Sequence, residues 1–145
     1  MKFYITGTRR GLGKALVDKY GTVSTLEECD MFINCKHNGF EQVEMLYKAA
    51  KLDKRIINIG SNSPDQSKKI PHKYAIEKAA LDKANEQLFY QDINTTIIRF
   101  GYFDSPRVAE IKANKMSINY CVDVIDWVIE QPHKVKDITI VPYRH

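Results

Sequence analysis

The chain has 145 residues, 43% of them hydrophobic and 28% charged, a balance typical of globular proteins rather than disordered ones. It has no apolar run of about 18 residues, so no membrane span is expected, and the opening Met-Lys-Phe-Tyr-Ile-Thr-Gly lacks the apolar stretch of a secretory leader. With 22 Lys+Arg against 18 Asp+Glu the net charge is +4; so mild an excess helps attract an anionic small molecule, and no nucleic-acid partner is expected from it.

Residues 2–6 read as a first strand, ending in a glycine-rich turn from Gly7 to Gly13. A helix over 12–20 follows, stopped by Gly21. Residues 22–25 read as a very short strand, 31–35 as a buried strand, and 41–52 as a helix with Val43, Leu46, Tyr47 and Ala50 on one face. Residues 55–59 read as another buried strand, ending in Gly60-Ser61, and 62–71 as a polar loop. A long helix over 74–90, a strand over 95–99 and a loop with Gly101 and Pro106 come next, with a short helix over 107–115. Ser117 caps a helix that runs to Gln131, where Trp127 packs with Val124, Ile125 and Val128; residues 137–141 are a final strand. Strands alternating with helices, the strands short and β-branched, predict a parallel sheet covered on both faces, in a single domain over 1–145.

The three cysteines, Cys29, Cys35 and Cys121, are an odd number with no CxxC pair. No disulfide framework is expected, and a reducing, cytoplasmic setting fits. Cys35 reads as inert core. The histidines His37, His72, His133 and His145 have no ligand spacing, so no metal site is expected.

The turn Thr6-Gly7-Thr8-Arg9-Arg10-Gly11-Leu12-Gly13 is the first place where chemistry is legible. Glycine permits positive φ and close backbone approach to a phosphate. The following helix start adds unpaired N–H groups and a positive dipole end. Three glycines alone make a plain turn; their position directly after an N-terminal strand points to a nucleotide pyrophosphate. Arg9 and Arg10 are either phosphate contacts, Arg10 being preferred because it adjoins the second glycine, or solvated loop residues.

Tyr74 and Lys78 are four apart on a predicted helix and share a face. Such a pair alone is uninformative. Ser61 adds weight, because it ends a buried strand 13 residues earlier, and active sites of α/β sheets form at the C-terminal ends of strands.

These residues resemble the short-chain dehydrogenase/reductase family. TGTRRGLG over 6–13 is similar to the family's TGxxxGxG turn, and Ser61 with Tyr74-Ala75-Ile76-Glu77-Lys78 to its Ser…YxxxK set. Asp30-Met31-Phe32-Ile33-Asn34-Cys35 resembles the start of the NNAG strand, and Arg99-Phe100-Gly101-Tyr102-Phe103-Asp104-Ser105 the segment PG-x-V-x-T. The motifs follow the family's order over nearly the whole chain.

The resemblance implies a Rossmann-like, doubly wound parallel sheet, here shortened to about six strands. It implies hydride transfer between a nicotinamide cofactor and a small carbonyl or alcohol substrate. A tyrosine near its ordinary pKa of about 10 is a poor base at neutral pH, and a lysine ammonium beside it favours the phenolate. Tyr74 then exchanges the proton with the substrate oxygen, Ser61 hydrogen-bonds that oxygen, and Lys78 also holds the nicotinamide ribose. The implied cofactor contacts are Gly7, Thr8, Arg9, Arg10, Gly11, Leu12, Gly13, Asn34, Cys35, Tyr74, Lys78, Gly101, Phe103 and Ser105. Phe103 and Ser105 orient the carboxamide. The family often pairs the 74–90 helix between subunits, which implies a homodimer or homotetramer.

The sequence also departs from the family. Only 20 residues separate Gly13 from Asn34, so one helix and one strand after the first helix are expected to be missing. Ser24 or Thr25 stands where the family selects between NAD and NADP; with Arg9 and Arg10 and no carboxylate there, NADP is favoured over NAD. Cys35-Lys36-His37 puts bulky side chains beside the cofactor, so that the backbone takes another path or Lys36 adds a phosphate contact. The 41–52 helix has no asparagine to support the family's water relay to the lysine. The short 106–117 segment leaves a small, open substrate site. The alternative function is a cofactor-binding sensor or scaffold that is catalytically weak or inactive.

Overall fold

The computed structural model describes residues 1–66 and 71–143. Strand and helix alternate: β1 (Phe3–Ile5), α1 (Gly11–Tyr20), β2 (Met31–Asn34), α2 (Glu41–Lys51), β3 (Arg55–Ser61), α3 (Lys73–Tyr90), β4 (Thr95–Phe100), α4 (Ile118–Glu130) and β5 (Asp137–Ile140). The strands form one all-parallel sheet in the order β1-β2-β3-β4-β5. The α/β, Rossmann-like class expected from the sequence is the class observed.

Strand alternation divides the core in two. Phe3, Ile5, Met31, Ile33, Ile57, Ile59, Ile98 and Phe100 point to one face, where Leu12 and Leu16 of α1 and Cys121, Ile125 and Val128 of α4 cover them. Phe32, Ile56 and Ile97 point to the other, under Leu46 and Ala49 of α2 and Leu81 and Ala84 of α3. Every connection steps the same way across the sheet, yet two helices lie on each face. Two of the four crossovers therefore have the opposite hand to the other two, against the usual uniform right-handedness.

The described strands number five. Residues 22–25 are not a strand, because they make only isolated bonds to β1: the Val23 N–H donates to the Phe3 carbonyl at 2.8 Å, and Thr22 Oγ1 accepts from the Ile5 N–H at 3.1 Å. The Thr6 N–H donates to Ile33 O, so even-numbered residues of this segment face β2, and Phe3 and Ile5 bond outward. The chain then turns under the sheet, and Leu26 and Cys29 join the α2–α3 face. Beyond β4, the helix expected over 107–115 is a single 3-10 turn, Pro106–Val108. The polar loop holds another, Ser63–Asp65; residues 67–70 of that loop lie outside the described residues.

On α4, Ser117 Oγ accepts from the Tyr120 N–H as expected of an N-cap. At its other end the Arg55 guanidinium donates to the Val128 and Ile129 carbonyls at 3.0 and 2.9 Å, satisfying acceptors a helix end leaves free. Trp127 does not pack as expected: it is 53% exposed, while Ile125 and Val128 are buried.

The α2–α3 face is crossed by polar side chains that the apolar strand pattern hides. Asn58, in the middle of β3, is 0% exposed. Its Oδ1 accepts from Asn34 Nδ2 at 2.9 Å, and its Nδ2 donates to Asn85 Oδ1 and Thr95 Oγ1, both at 3.1 Å. Asn34 Nδ2 also donates to the Gln42 carbonyl at 2.8 Å, and Asn85 Nδ2 to the Lys136 carbonyl at 3.1 Å. Five elements, β2, β3, β4, α2 and α3, are thereby tied together, since buried amides left unpaired are costly. Asn58→Ala is expected to lower stability by about 1–3 kcal/mol, read as a lower urea midpoint at unchanged m-value.

Candidate active site

A cavity of about 940 Å³ opens at the C-terminal ends of the strands, lined by the glycine turn, the ends of β3 and β4, the start of α3 and the 3-10 turn after β4. Parallel strands direct their following loops to this end of a sheet.

Two glycines shape the turn. Gly7 has φ +71, and a side chain there would come within 3.3 Å of Lys36 Cα. Gly13, in α1, lies so close to the turn that an added Cβ would stand 1.9 Å from the Gly7 carbonyl oxygen. Only glycine lets the helix start press against the loop. Thr6 fastens the loop across the sheet: its Oγ1 accepts from the Cys35 and Lys36 N–H groups at 3.0 and 3.1 Å. The bulky Cys35-Lys36-His37 segment is thus held by its backbone while its side chains line the cavity. At α1 no side chain caps the N-terminus and no acidic residue lies in the first turn, so its amides are available to an anion. Arg9 and Arg10 are exposed.

Ser61, Tyr74 and Lys78 line this one cavity. Ser61 ends β3 and is 7% exposed; its Oγ accepts from the Ser63 N–H at 3.0 Å, which fixes the hydroxyl. Tyr74 opens α3 between other rings, with His37 edge-on at 4.8 Å and the Arg107 guanidinium 4.3 Å from its ring centroid. Burial holds the His37 imidazole below its ordinary range, and its Nε2 lies 3.7 Å from Glu77 Oε1.

Lys78 is 3% exposed. Its Nζ donates to Gln42 Oε1 at 2.7 Å and to the Ile59 carbonyl at 3.1 Å, and lies 5.6 Å from the Tyr74 ring centroid. Burial pulls its pKa down to about 8, because a desolvated ammonium is disfavoured. At neutral pH it still carries its proton.

Gln42 is the residue that sequence reasoning missed. It is 3% exposed in the first turn of α2. Besides accepting from Lys78, its Nε2 donates to the carbonyls of Asn34 and Ile59 at 2.8 and 3.1 Å. Where the sequence offered no asparagine to reach the lysine, a glutamine reaches it directly. The inward face of α2 is Gln42, Leu46 and Ala49 rather than the expected one through Tyr47, which is exposed; the one available signal was that Gln42 stands four places before Leu46.

The other residues implied by the resemblance fall mostly on the same walls. Thr8, Gly11, Leu12, Gly101, Phe103 and Ser105 all line the cavity. Phe103 bridges to Met116, and Ser105 precedes the 3-10 turn. Asn34 does not line it: its amide is spent in the buried network, and it borders a neighbouring pocket of about 410 Å³ instead. Thr22 and Val23, rather than Ser24 or Thr25, line that pocket, opposite Lys36 and Glu41; Thr25 turns away to Glu28. Cys35 is half-buried rather than core, but burial pushes its thiol up to about 11, which leaves it unreactive. Among the described residues no group of three His, Cys, Asp or Glu side chains is placed to hold a metal ion, and no helix is long and apolar enough to cross a membrane.

No protein-family model matches the sequence, and no curated protein does. The fold is similar to that of a 4-hydroxyisoleucine dehydrogenase mutant complexed with NADH and succinate (TM-score 0.74, 14% identity, 97% of each chain covered). It is also similar to a short-chain dehydrogenase from Burkholderia cenocepacia J2315 in complex with NADP (TM-score 0.69, 14% identity, 96% of this chain and 89% of that one). A ribose-5-phosphate isomerase from Brucella melitensis 16M matches equally well (TM-score 0.70, 13% identity, 96% and 90% covered). The likeness therefore carries the fold and leaves the activity to the residues.

Gln42→Leu removes the acceptor from a buried ammonium. It is expected to move the Lys78 titration, followed by NMR of isotopically labelled lysine, further below 8, and to cost about 1–3 kcal/mol in urea unfolding.

Proposed function

We propose that the chain is an NAD(P)-dependent oxidoreductase of the short-chain dehydrogenase type, acting on a small carbonyl or alcohol, with NADP preferred. The observation that carries the proposal is the convergence of Ser61, Tyr74 and Lys78 on a cavity that also contains the glycine turn. Solved structures of similar fold, described as dehydrogenases with NADH or NADP bound, support it.

The residues fit such a cofactor. The uncapped start of α1 and the close Gly7–Gly13 approach suit a pyrophosphate. Arg9, Arg10 and Lys36 stand around the turn, where a 2′-phosphate would gain most from cations. Two of the three Lys78 protons are donated to protein acceptors, and the third serves a ribose hydroxyl. Phe103 and Ser105 would meet the carboxamide.

The bound cofactor supplies or accepts the hydride. In reduction Tyr74 donates its phenolic proton to the substrate oxygen, and Ser61 hydrogen-bonds that oxygen as charge develops on it. The charge then left on the phenolic oxygen lies in the field of the Lys78 ammonium, which a dry setting strengthens. Gln42 and the Ile59 carbonyl hold that ammonium in place.

Purified protein is expected to bind NADPH more tightly than NADH and to oxidise NADPH with small carbonyl compounds. Tyr74→Phe should lower turnover about 10²- to 10⁴-fold while NADPH still binds, weakened by about 10-fold at most, measured by absorbance loss and fluorescence titration. Binding without Tyr74-dependent turnover would give the sensor reading instead; binding of neither nucleotide would end both. Lys78 loses its charge as pH rises through about 8. The rate of carbonyl reduction should accordingly fall above that pH.

A further inference from the structure

The walls of the large cavity carry one sign of charge. Arg9, Arg10, Lys36, Lys78 and Arg107 line it, and among the described residues no aspartate or glutamate does. Arg9, Arg10 and Lys36 surround the glycine turn, where the phosphates of a dinucleotide account for them. Lys78 is held by Gln42 and Ile59. Arg107 is left over.

Arg107 belongs to the 3-10 turn after β4, and its guanidinium lies 4.3 Å from the centroid of the Tyr74 ring. It takes part in none of the ion pairs among the described residues. A guanidinium stacked on an aromatic ring uses its face, while its N–H groups project from the rim. That rim matches a carboxylate in bidentate fashion. His37 also meets the Tyr74 ring, but it lies 3.7 Å from Glu77 and burial lowers its pKa; Arg107 is a cation over that ring with no carboxylate partner among the described residues.

We infer, resting on the proposed oxidoreductase reading, that the substrate is an oxo acid or the matching hydroxy acid, whose carboxylate, one or two carbons from the reacting carbon, is bound by Arg107. In reduction the C=O π bond breaks. A hydride from the reduced nicotinamide forms the new C–H bond, and the Tyr74 proton forms the O–H bond. The nicotinamide is oxidised, the oxo acid becomes a hydroxy acid, and the carboxylate stays ionised and bound to Arg107. Arg107 is thus a specificity-determining residue.

The test compares pyruvate and acetoacetate with their methyl esters, which keep the carbonyl and lose the charge, using NADPH and the full chain. One of the acids is expected to exceed its ester in kcat/KM by about 10- to 100-fold. Arg107→Met should raise the acid's KM and lower its kcat/KM at least about 10-fold more than the ester's, so that the advantage disappears, while the Kd for NADPH stays within about 2-fold. A second readout needs no turnover: the preferred acid should alter the fluorescence of bound NADPH, and Arg107→Met should abolish that change. Equal use of acid and ester, or acids that give neither turnover nor a fluorescence change, would overturn the inference. So would an NADPH Kd that weakens in Arg107→Met as much as the acid KM does, since that would assign Arg107 to a cofactor phosphate. These failures differ from failure of the oxidoreductase reading, which would show as no NADPH binding or as turnover that survives Tyr74→Phe.

Discussion

The hydrogen bond from the Lys78 ammonium to Gln42 Oε1 ties the chemistry of this chain to its fold. A lysine so deeply buried loses most of its hydration. The amide oxygen of Gln42 and the carbonyl of Ile59 replace part of it. Gln42 is itself held by two backbone carbonyls, and its own carbonyl accepts from Asn34, which leads to Asn58, Asn85 and Thr95. A buried ammonium on the cavity wall is thus braced by amides that run back across the sheet.

The elements around the cavity brace one another over short range. The glycine turn depends on contacts with its own helix and with the β2 loop, through Gly13 and Thr6, and not on strands beyond β1. The end of β4 is likewise placed by β3 and β5, and α3 packs on β3 and β4. Beside β1, Thr22 and Val23 form part of the wall of the smaller pocket.

Periodicity and turn chemistry made the strand–helix order legible, and a family-like spacing made Ser61, Tyr74 and Lys78 legible as a group. Patterns of apolar residues cannot report polar groups that satisfy one another. Asn58 sits inside the run Ile56-Ile57-Asn58-Ile59, and nothing local distinguishes a buried, fourfold-bonded amide from a strand interruption. Gln42 was hidden in the same way, at a helix start where polar residues ordinarily face water. Trp127 was misplaced because a helix with many apolar residues has more of them than its inward stripe holds. Residues 22–25 have strand-forming composition but lack a continuous ladder, which a propensity scale does not see. Arg107 carried no signal in sequence, since its contact with Tyr74 spans 33 positions of the chain.

The outward bonds of β1 have a consequence for colloidal behaviour. A short parallel strand with a bare flank invites another molecule to add its own strand, the first step toward cross-β association. Here the Phe3 carbonyl is taken by Val23 and the Ile5 N–H by Thr22. Two residues of irregular chain thus occupy groups on the edge of the sheet, and that edge is kept from serving as a template for fibres.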